Sequence, residues 1–465
     1  MKHIIATIVG LMFLSSLYAK GYNIELNVKG EKEKDAYMAI HIGAGRFAID
    51  TARLDKKGKG VFTSDKPLAP GMYLIVIEGA QMADFLVPDT INQNFTISLT
   101  AGKSTETLSF TNSPENEAFA EYTRYFMNKQ KREMELMKNA SLLKEDKAAI
   151  ASIDAELDSI NDVNNKKVEE LGKQYPNSLF YNVISAMRPA RPRNADLPDS
   201  AVELYMYRYY RNHYWDHIAL DDKRMQNTPI LIPALEGYFN TIIPQIPDTI
   251  IAEFDKVMAK TNGNKDMMRF IAGHMFNQYY KSKIMGMESV VVHIIDDYYL
   301  TGKIATNDEK FMHGIEEYAG NHRATLIGKK AQNLKMESIN GMFESLYDVD
   351  AQYTLVYFYE PTCGHCKQET PRINKLYEQY KDKGFAVFGV YTQQNKTEWL
   401  NYVAENELNG WINVWDPENS NNYRVTYNVS SVPQMFLLDK DKKIIGRRLD
   451  NGALGQMLGH LFKDK

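Results

Sequence analysis

Cysteine is nearly absent from this chain. Its 465 residues hold two, Cys363 and Cys366, with two residues between them. So small a supply excludes a disulfide-stapled scaffold, which would spread several pairs along the sequence. An excess of either charge is also missing: the formal net charge of −4 removes the electrostatic case for a nucleic-acid partner. Beyond residue 20 no apolar run reaches membrane length. What is abundant is tyrosine, at 29 residues, which favours aromatic cores and contact surfaces.

The length is too great for one hydrophobic core and suggests about three domains of about 150 residues each. The first 19 residues read as a secretory signal, with an uncleaved anchor as the alternative: Lys2 supplies positive charge, an apolar run spans 4–17, and Ala19 offers a small residue for cleavage. With no cysteine near that cut, lipid modification there is not expected. The expected location is the periplasm or cell envelope, an oxidising place. Two closely spaced cysteines in an exported chain therefore point to chemistry rather than architecture.

Residues 20–112 read as a β-sandwich. Short alternating or aromatic-rich runs recur at 22–28, 36–42, 60–63, 72–78, 83–87, 95–99 and 107–110, separated by Gly, Pro, Asp and Lys. Residues 113–324 read as an all-α domain. Ser113 can cap its first helix, Pro114 suits the first helical position, and Glu115 and Glu117 favour the positive helix end. Ile150, Ile153, Leu157 and Ile160 form an apolar stripe at helical spacing. The run Arg188-Pro-Ala-Arg-Pro-Arg193 breaks the helices and reads as a loop. Further helices are expected over 202–215 and 267–280. His213 and His217 lie four residues apart with Asp216 between, a spacing that can hold metal. With no third ligand in view, a packed cluster with Tyr214 and Trp215 is expected and no metal site is assigned.

Residues 325–465 alternate strands and helices. A strand is expected over Tyr353–Tyr359, a helix over 363–380, a strand over Phe385–Tyr391, a helix capped by Thr397 and ending near Asn406, a short strand over 411–415, a hairpin over 435–438 and 443–448, and a last helix over 454–462. The whole chain is thus expected to be multidomain, with a signal, a β-sandwich, a helical domain and a C-terminal α/β domain.

The chemistry concentrates in Pro361-Thr-Cys-Gly-His-Cys-Lys-Gln-Glu-Thr-Pro371. Two cysteines spaced by two residues, after a strand and at the start of a helix, form a redox pair. Free backbone N–H groups and the helix dipole favour a thiolate at Cys363. Cys366 lies one turn deeper, near enough to close a disulfide. As a structural crosslink the pair would constrain almost nothing, because the loop is so short. As a zinc site it lacks a second pair of ligands.

This string is similar to the TlpA/ResA branch of the thioredoxin superfamily, in which two cysteines are followed by a Glu three residues on and a Pro two beyond that. Glu369 and Pro371 match. Ser431-Val432-Pro433, ahead of a buried strand, resembles the cis-proline loop that faces the cysteines in thioredoxin folds. The segment 392–423, with Trp411, Trp415 and Asp416, resembles the branch's inserted strand and helix. The resemblance covers roughly the last 140 residues. The β-domain and helical region likewise resemble the domains of unknown function that precede thioredoxin modules in exported bacterial proteins.

The resemblance implies a thiol–disulfide oxidoreductase that reduces or isomerises protein disulfides without organic cofactor or metal. Cys363 is the implied nucleophile, Cys366 the resolving thiol and Glu369 the group that manages its proton. Val432 and Pro433 would hold the substrate chain, and His365 would tune the Cys363 sulfur. The implied partners are protein disulfides and a membrane-borne thiol donor, and the aromatic helices leave a homodimer open. Two departures stand out: Thr362 where most relatives carry Trp, and Tyr357 where ordinary thioredoxins carry a buried acid. A peroxiredoxin-like peroxidase is disfavoured because Glu360 and Val356 stand where its Thr or Ser and its Pro would be needed. A non-enzymatic envelope scaffold is the remaining alternative, and it would not need Cys363.

Overall fold

A computed structural model of the chain describes residues 21–43, 45–91, 93–143, 146–188, 192 and 198–463. The signal expected over 1–19 and most of the loop after Arg188 lie outside the described residues. The chain is multidomain, with strands first, helices next and a mixed α/β domain last. It divides into two compact units, Met1–Ile242 and Ile243–Lys465.

Among the described residues the first unit opens with eight strands, β1 (Tyr22–Lys29), β2 (Asp35–Ile42), β3 (Gly45–Arg53), β4 (Lys59–Ser64), β5 (Gly71–Ile77), β6 (Ala80–Val87), β7 (Asn94–Thr100) and β8 (Ser109–Thr111). They form two four-stranded sheets, ordered β4-β1-β7-β8 and β3-β2-β5-β6. Alternation explains the sandwich. Ile24, Leu26 and Val28 of β1 point inward with Ala36, Met38 and Ile40 of β2, while the residues between them in β1 face out. The strand expected over 107–110 is instead a short helical turn at Ser104–Thr107 followed by β8.

The division at residue 242 falls inside the span expected to be one helical domain, because side chains tie its first part to the sandwich. Asn116, on the helix Pro114–Leu142, is fully buried; its amide donates to the Leu86 carbonyl and its oxygen accepts the Leu86 N–H. Arg124 donates to the Leu108 carbonyl and Arg224 to that of Pro88. Ser113 does precede this helix, but its hydroxyl accepts from the Asn116 side chain and not from a backbone N–H.

The second unit begins with the helices Pro247–Ala259, Lys265–Tyr280, Glu288–Ile294 and Glu309–Arg323. Seven strands follow: β9 (Lys335–Ser338), β10 (Phe343–Ser345), β11 (Tyr353–Tyr359), β12 (Phe385–Tyr391), β13 (Ile412–Trp415), β14 (Gln434–Asp439) and β15 (Ile444–Arg447). They make one sheet in the order β10-β9-β13-β12-β11-β14-β15. Strand β11 lies inside it, parallel to β12 and antiparallel to β14. Its side chains alternate between two buried layers: Leu355, Tyr357 and Tyr359 join Cys366 and Ile373 on one face, and Val356 and Phe358 pack on the other. Burial on both faces explains why this strand is a continuous apolar and aromatic run.

Candidate active site

Strand β11 delivers the chain to Glu360 and Pro361, and a helix starts immediately, at Gly364–Tyr380. Cys363 is its N-cap. The Cys363 sulfur accepts the Cys366 N–H at 3.4 Å, doing for this helix what a Ser or Asp oxygen does for others. A sulfur so placed faces the unsatisfied N–H groups of the first turn. Cys363 is half-buried, and its thiol donates to the Val432 carbonyl at 3.4 Å. The Val432–Pro433 peptide is cis. Thus Cys363, Val432 and Pro433, about 70 residues apart in sequence, meet where β11 ends and β14 begins, with Val432 packed against the same core as both cysteines.

Cys366 is fully buried and not bonded to Cys363. Burial pushes its thiol up to about 12, and the neighbouring Cys363 adds to this. Hydrogen bonds from the Glu360 backbone and the Tyr357 side chain pull the other way. His365, between the two cysteines in sequence, is exposed. Glu369 stands one turn beyond Cys366, but its carboxylate accepts the Asn451 N–H at 3.0 Å, at the start of the helix Asn451–Leu461, and lies 3.6 Å from Arg372. Its main engagement is with that helix end.

Beneath Cys366 lies a polar patch that sequence reasoning did not find. The Tyr357 hydroxyl sits 3.1 Å from Thr370 Oγ1, and the Tyr402 hydroxyl donates to the same oxygen at 3.0 Å. The Tyr357 and Tyr359 rings stack at 5.3 Å, and Trp399 donates its indole N–H to the Tyr359 hydroxyl. Thr370 is four residues after Cys366, hence on the same helix face, a signal that was available. Tyr402 comes from the helix Lys396–Glu405, which nothing in the sequence ties to the cysteines. That helix is capped by Asn395 rather than Thr397.

His213 and His217 lie far along the chain from this site. His213 Nδ1 pairs with the Asp216 carboxylate at 2.7 Å, and its ring packs on Tyr209. Burial, with Arg188, holds the His217 imidazole below its usual range.

A sheet whose inner strand feeds a helix headed by two cysteines, opposite a cis proline, defines the thioredoxin class. Residues 350–444 match the family model described as thioredoxin-like, and this C-terminal domain belongs to that family. Two domains of unknown function match ahead of it, DUF4369 over 22–119 and DUF5106 over 199–317. Thiol-disulfide oxidoreductase ResA of Bacillus cereus (strain ZK / E33L) is 27% identical over 137 residues, covering 30% of this chain and 78% of that protein. Among solved structures, a domain of a possible thiol-disulfide isomerase from Cytophaga hutchinsonii is 36% identical, with a TM-score of 0.28, over 30% of this chain and 95% of that one. A thiol:disulfide interchange protein from Bacteroides sp. is 27% identical, with a TM-score of 0.28, over 30% of this chain and 90% of that one. The C-terminal domain is thus thioredoxin-like, of the ResA type among the thiol–disulfide oxidoreductases. No helix among the described residues is long and apolar enough to cross a membrane.

Proposed function

We propose that this chain is an exported thiol–disulfide oxidoreductase that reduces, or isomerises, protein disulfides through its Cys-Gly-His-Cys dithiol. One observation carries the reading: the Cys363 sulfur heads a helix, accepts the Cys366 N–H and meets the carbonyl before a cis proline. That arrangement offers one accessible nucleophile and one sheltered partner.

The Cys363 thiolate attacks a substrate disulfide. A Cys363–substrate bond forms, the substrate's own S–S bond breaks, and the first substrate sulfur leaves with the electron pair and takes up a proton. Cys366 then attacks Cys363, the two cysteines close into a disulfide, and the second substrate sulfur leaves reduced. Two electrons have passed to the substrate, so a thiol donor must restore the pair. Outside the cytoplasm that donor is borne by the membrane. The cycle needs no cofactor beyond the two sulfurs.

The Val432 backbone and the Pro433 ring hold the substrate chain beside Cys363. His365, in the first helical turn, tunes the Cys363 sulfur through its N–H or its charge. Glu369, one of whose carboxylate oxygens accepts the Asn451 N–H, takes the proton of Cys366. Export rests on the signal-like sequence of the first 19 residues.

The test is trapping. Cys366→Ser should accumulate mixed disulfides with substrate proteins, and Cys363→Ser should form none and lose exchange activity. Turnover of Cys366→Ser at the wild-type rate would refute the assigned roles.

A further inference from the structure

We propose that a chain of three hydroxyls, Tyr402 to Thr370 to Tyr357, ends on the Cys366 sulfur and stabilises it as the attacking thiolate. The proposal rests on the resolving role given to Cys366 above.

The need for such a device comes from burial. Cys366 is enclosed by Tyr357 and Tyr359 from β11, by Tyr402 from the helix Lys396–Glu405, and by its own helix. Cys363 and the phenols of Tyr357, Tyr359 and Tyr402 are titratable groups that couple to it, and Glu369, a turn further on, is held by Asn451 and Arg372. An apolar, aromatic pocket opposes a negative sulfur. The Glu360 backbone offsets part of that cost, and one side-chain donor inside the pocket offsets more.

Tyr357 is that donor. Its hydroxyl belongs to the same buried cluster as the Cys366 sulfur and eases that sulfur's ionisation. It also lies 3.1 Å from Thr370 Oγ1, which accepts from the Tyr402 hydroxyl at 3.0 Å. Each hydroxyl can donate one hydrogen and accept others. When Cys366 is ionised, Tyr402 donates to Thr370, Thr370 to Tyr357, and Tyr357 to the sulfur. All three hydrogens then point toward the charge, and the bonds polarise one another. When Cys366 is a neutral thiol the chain can reverse, with Tyr402 turning to the Cys366 carbonyl 3.4 Å away.

Both phenols keep their protons throughout, because burial holds Tyr357 and Tyr402 above the ordinary phenol range. Tyr357 therefore acts as a hydrogen-bond donor and not as a base. In the resolving step the Cys363–Cys366 bond forms, the Cys363–substrate bond breaks, and the departing substrate sulfur ends with the proton that Cys366 lost, delivered through solvent. As the proposed donor to the reacting sulfur, Tyr357 is a catalytic residue. Thr370 and Tyr402 are positioning residues.

The experiment uses the reduced full chain and an aromatic disulfide, 5,5′-dithiobis(2-nitrobenzoate). Attack by Cys363 releases one coloured thiolate, and closure by Cys366 releases a second. Tyr357→Phe keeps the ring and removes the hydroxyl. Its first phase should match wild type, which also reports an intact fold. Its second phase should be about tenfold slower near neutral pH, with the midpoint of its pH profile about one unit higher. Thr370→Val should slow the second phase about two- to threefold, since Tyr357 remains but loses its partner. A second phase unchanged in rate and pH profile in Tyr357→Phe would overturn the hydroxyl chain alone. If wild type released only one equivalent, Cys366 would not resolve, and the functional reading would fall together with the chain.

Discussion

The two sulfurs should differ sharply toward an alkylating reagent, and the size of the difference follows from burial. In the folded chain burial, aided by Cys363, carries the Cys366 thiol from 9.0 to about 12. At about pH 8 a thiol at 12 is ionised about once in ten thousand, and one at 9.0 about once in ten. The thiolate population is thus about a thousandfold smaller than in the unfolded chain, before access is counted. Access is also denied, since Cys366 is 0% exposed. Iodoacetamide at about pH 8 should therefore label Cys363 in the reduced protein, while Cys366 reacts at least about a thousandfold more slowly than in urea. Both cysteines fall in one tryptic fragment, so fragmentation mass spectrometry must assign the label. The same shift has a stability consequence. A raised folded value means that the unfolded chain ionises first as pH climbs. The contribution is whole below about pH 9 and falls by about 1.4 kcal/mol per pH unit until about pH 12. Urea melts of wild type and Cys366→Ser should accordingly converge or cross above about pH 9. Equal labelling of both sulfurs in the folded protein, or parallel stability curves, would refute the burial argument.

Glu369→Gln keeps an oxygen for the Asn451 N–H and removes the charge, so stability should change by less than about 1 kcal/mol while closure of the mixed disulfide slows. Stopped-flow rates unchanged from about pH 6 to about pH 9 would leave Glu369 as a helix-end contact only. His365→Pro removes an N–H and a potential cation from the first turn beside Cys363. The reduction potential should fall by some tens of millivolts, at about 30 mV per 1.4 kcal/mol. A glutathione-redox titration showing no shift would dismiss His365 as the tuning residue.

The parts of the fold written in local patterns were legible. Strand β11 is a run of seven buried or half-buried residues, and the cysteines follow it at a helix start. Neither pattern depends on distant contacts. Strand β3 was missed for a physical reason: it is an edge strand with Phe47 and Ile49 exposed and a bulge against β2 near Met38, so its alternation breaks. Strands β9 and β10 are too short, at four and three residues, to show a period. The caps failed differently. Ser113 and Thr397 have the right chemistry, but Asn116 engages the Ser113 hydroxyl and Asn395 begins the second helix first. At the site, the sequence exposes the loss of an acid at Tyr357 but not the direction of its hydroxyl. That direction depends on Thr370 and on Tyr402, 45 residues further on, and only the packed sheet brings the three together.

A resolving thiol held near 12 looks ill suited to attack, yet geometry reverses the balance. Cys366 does not search for its target. The target sulfur is one turn away on the same helix, already hydrogen-bonded by the Cys366 N–H at 3.4 Å. Well-oriented intramolecular reactions reach effective molarities of about 10⁵ to 10⁸ M. A thousandfold loss of thiolate leaves the equivalent of about 10² M or more, far above any free thiol in solution. On the proposed cycle, burial withdraws Cys366 from outside partners while leaving the internal reaction fast. Intermolecular chemistry is confined to Cys363, which is half-buried and opens onto Val432. Mixed disulfides with substrate should therefore form at Cys363 alone, and their lifetime is set by the one sulfur that substrates cannot reach.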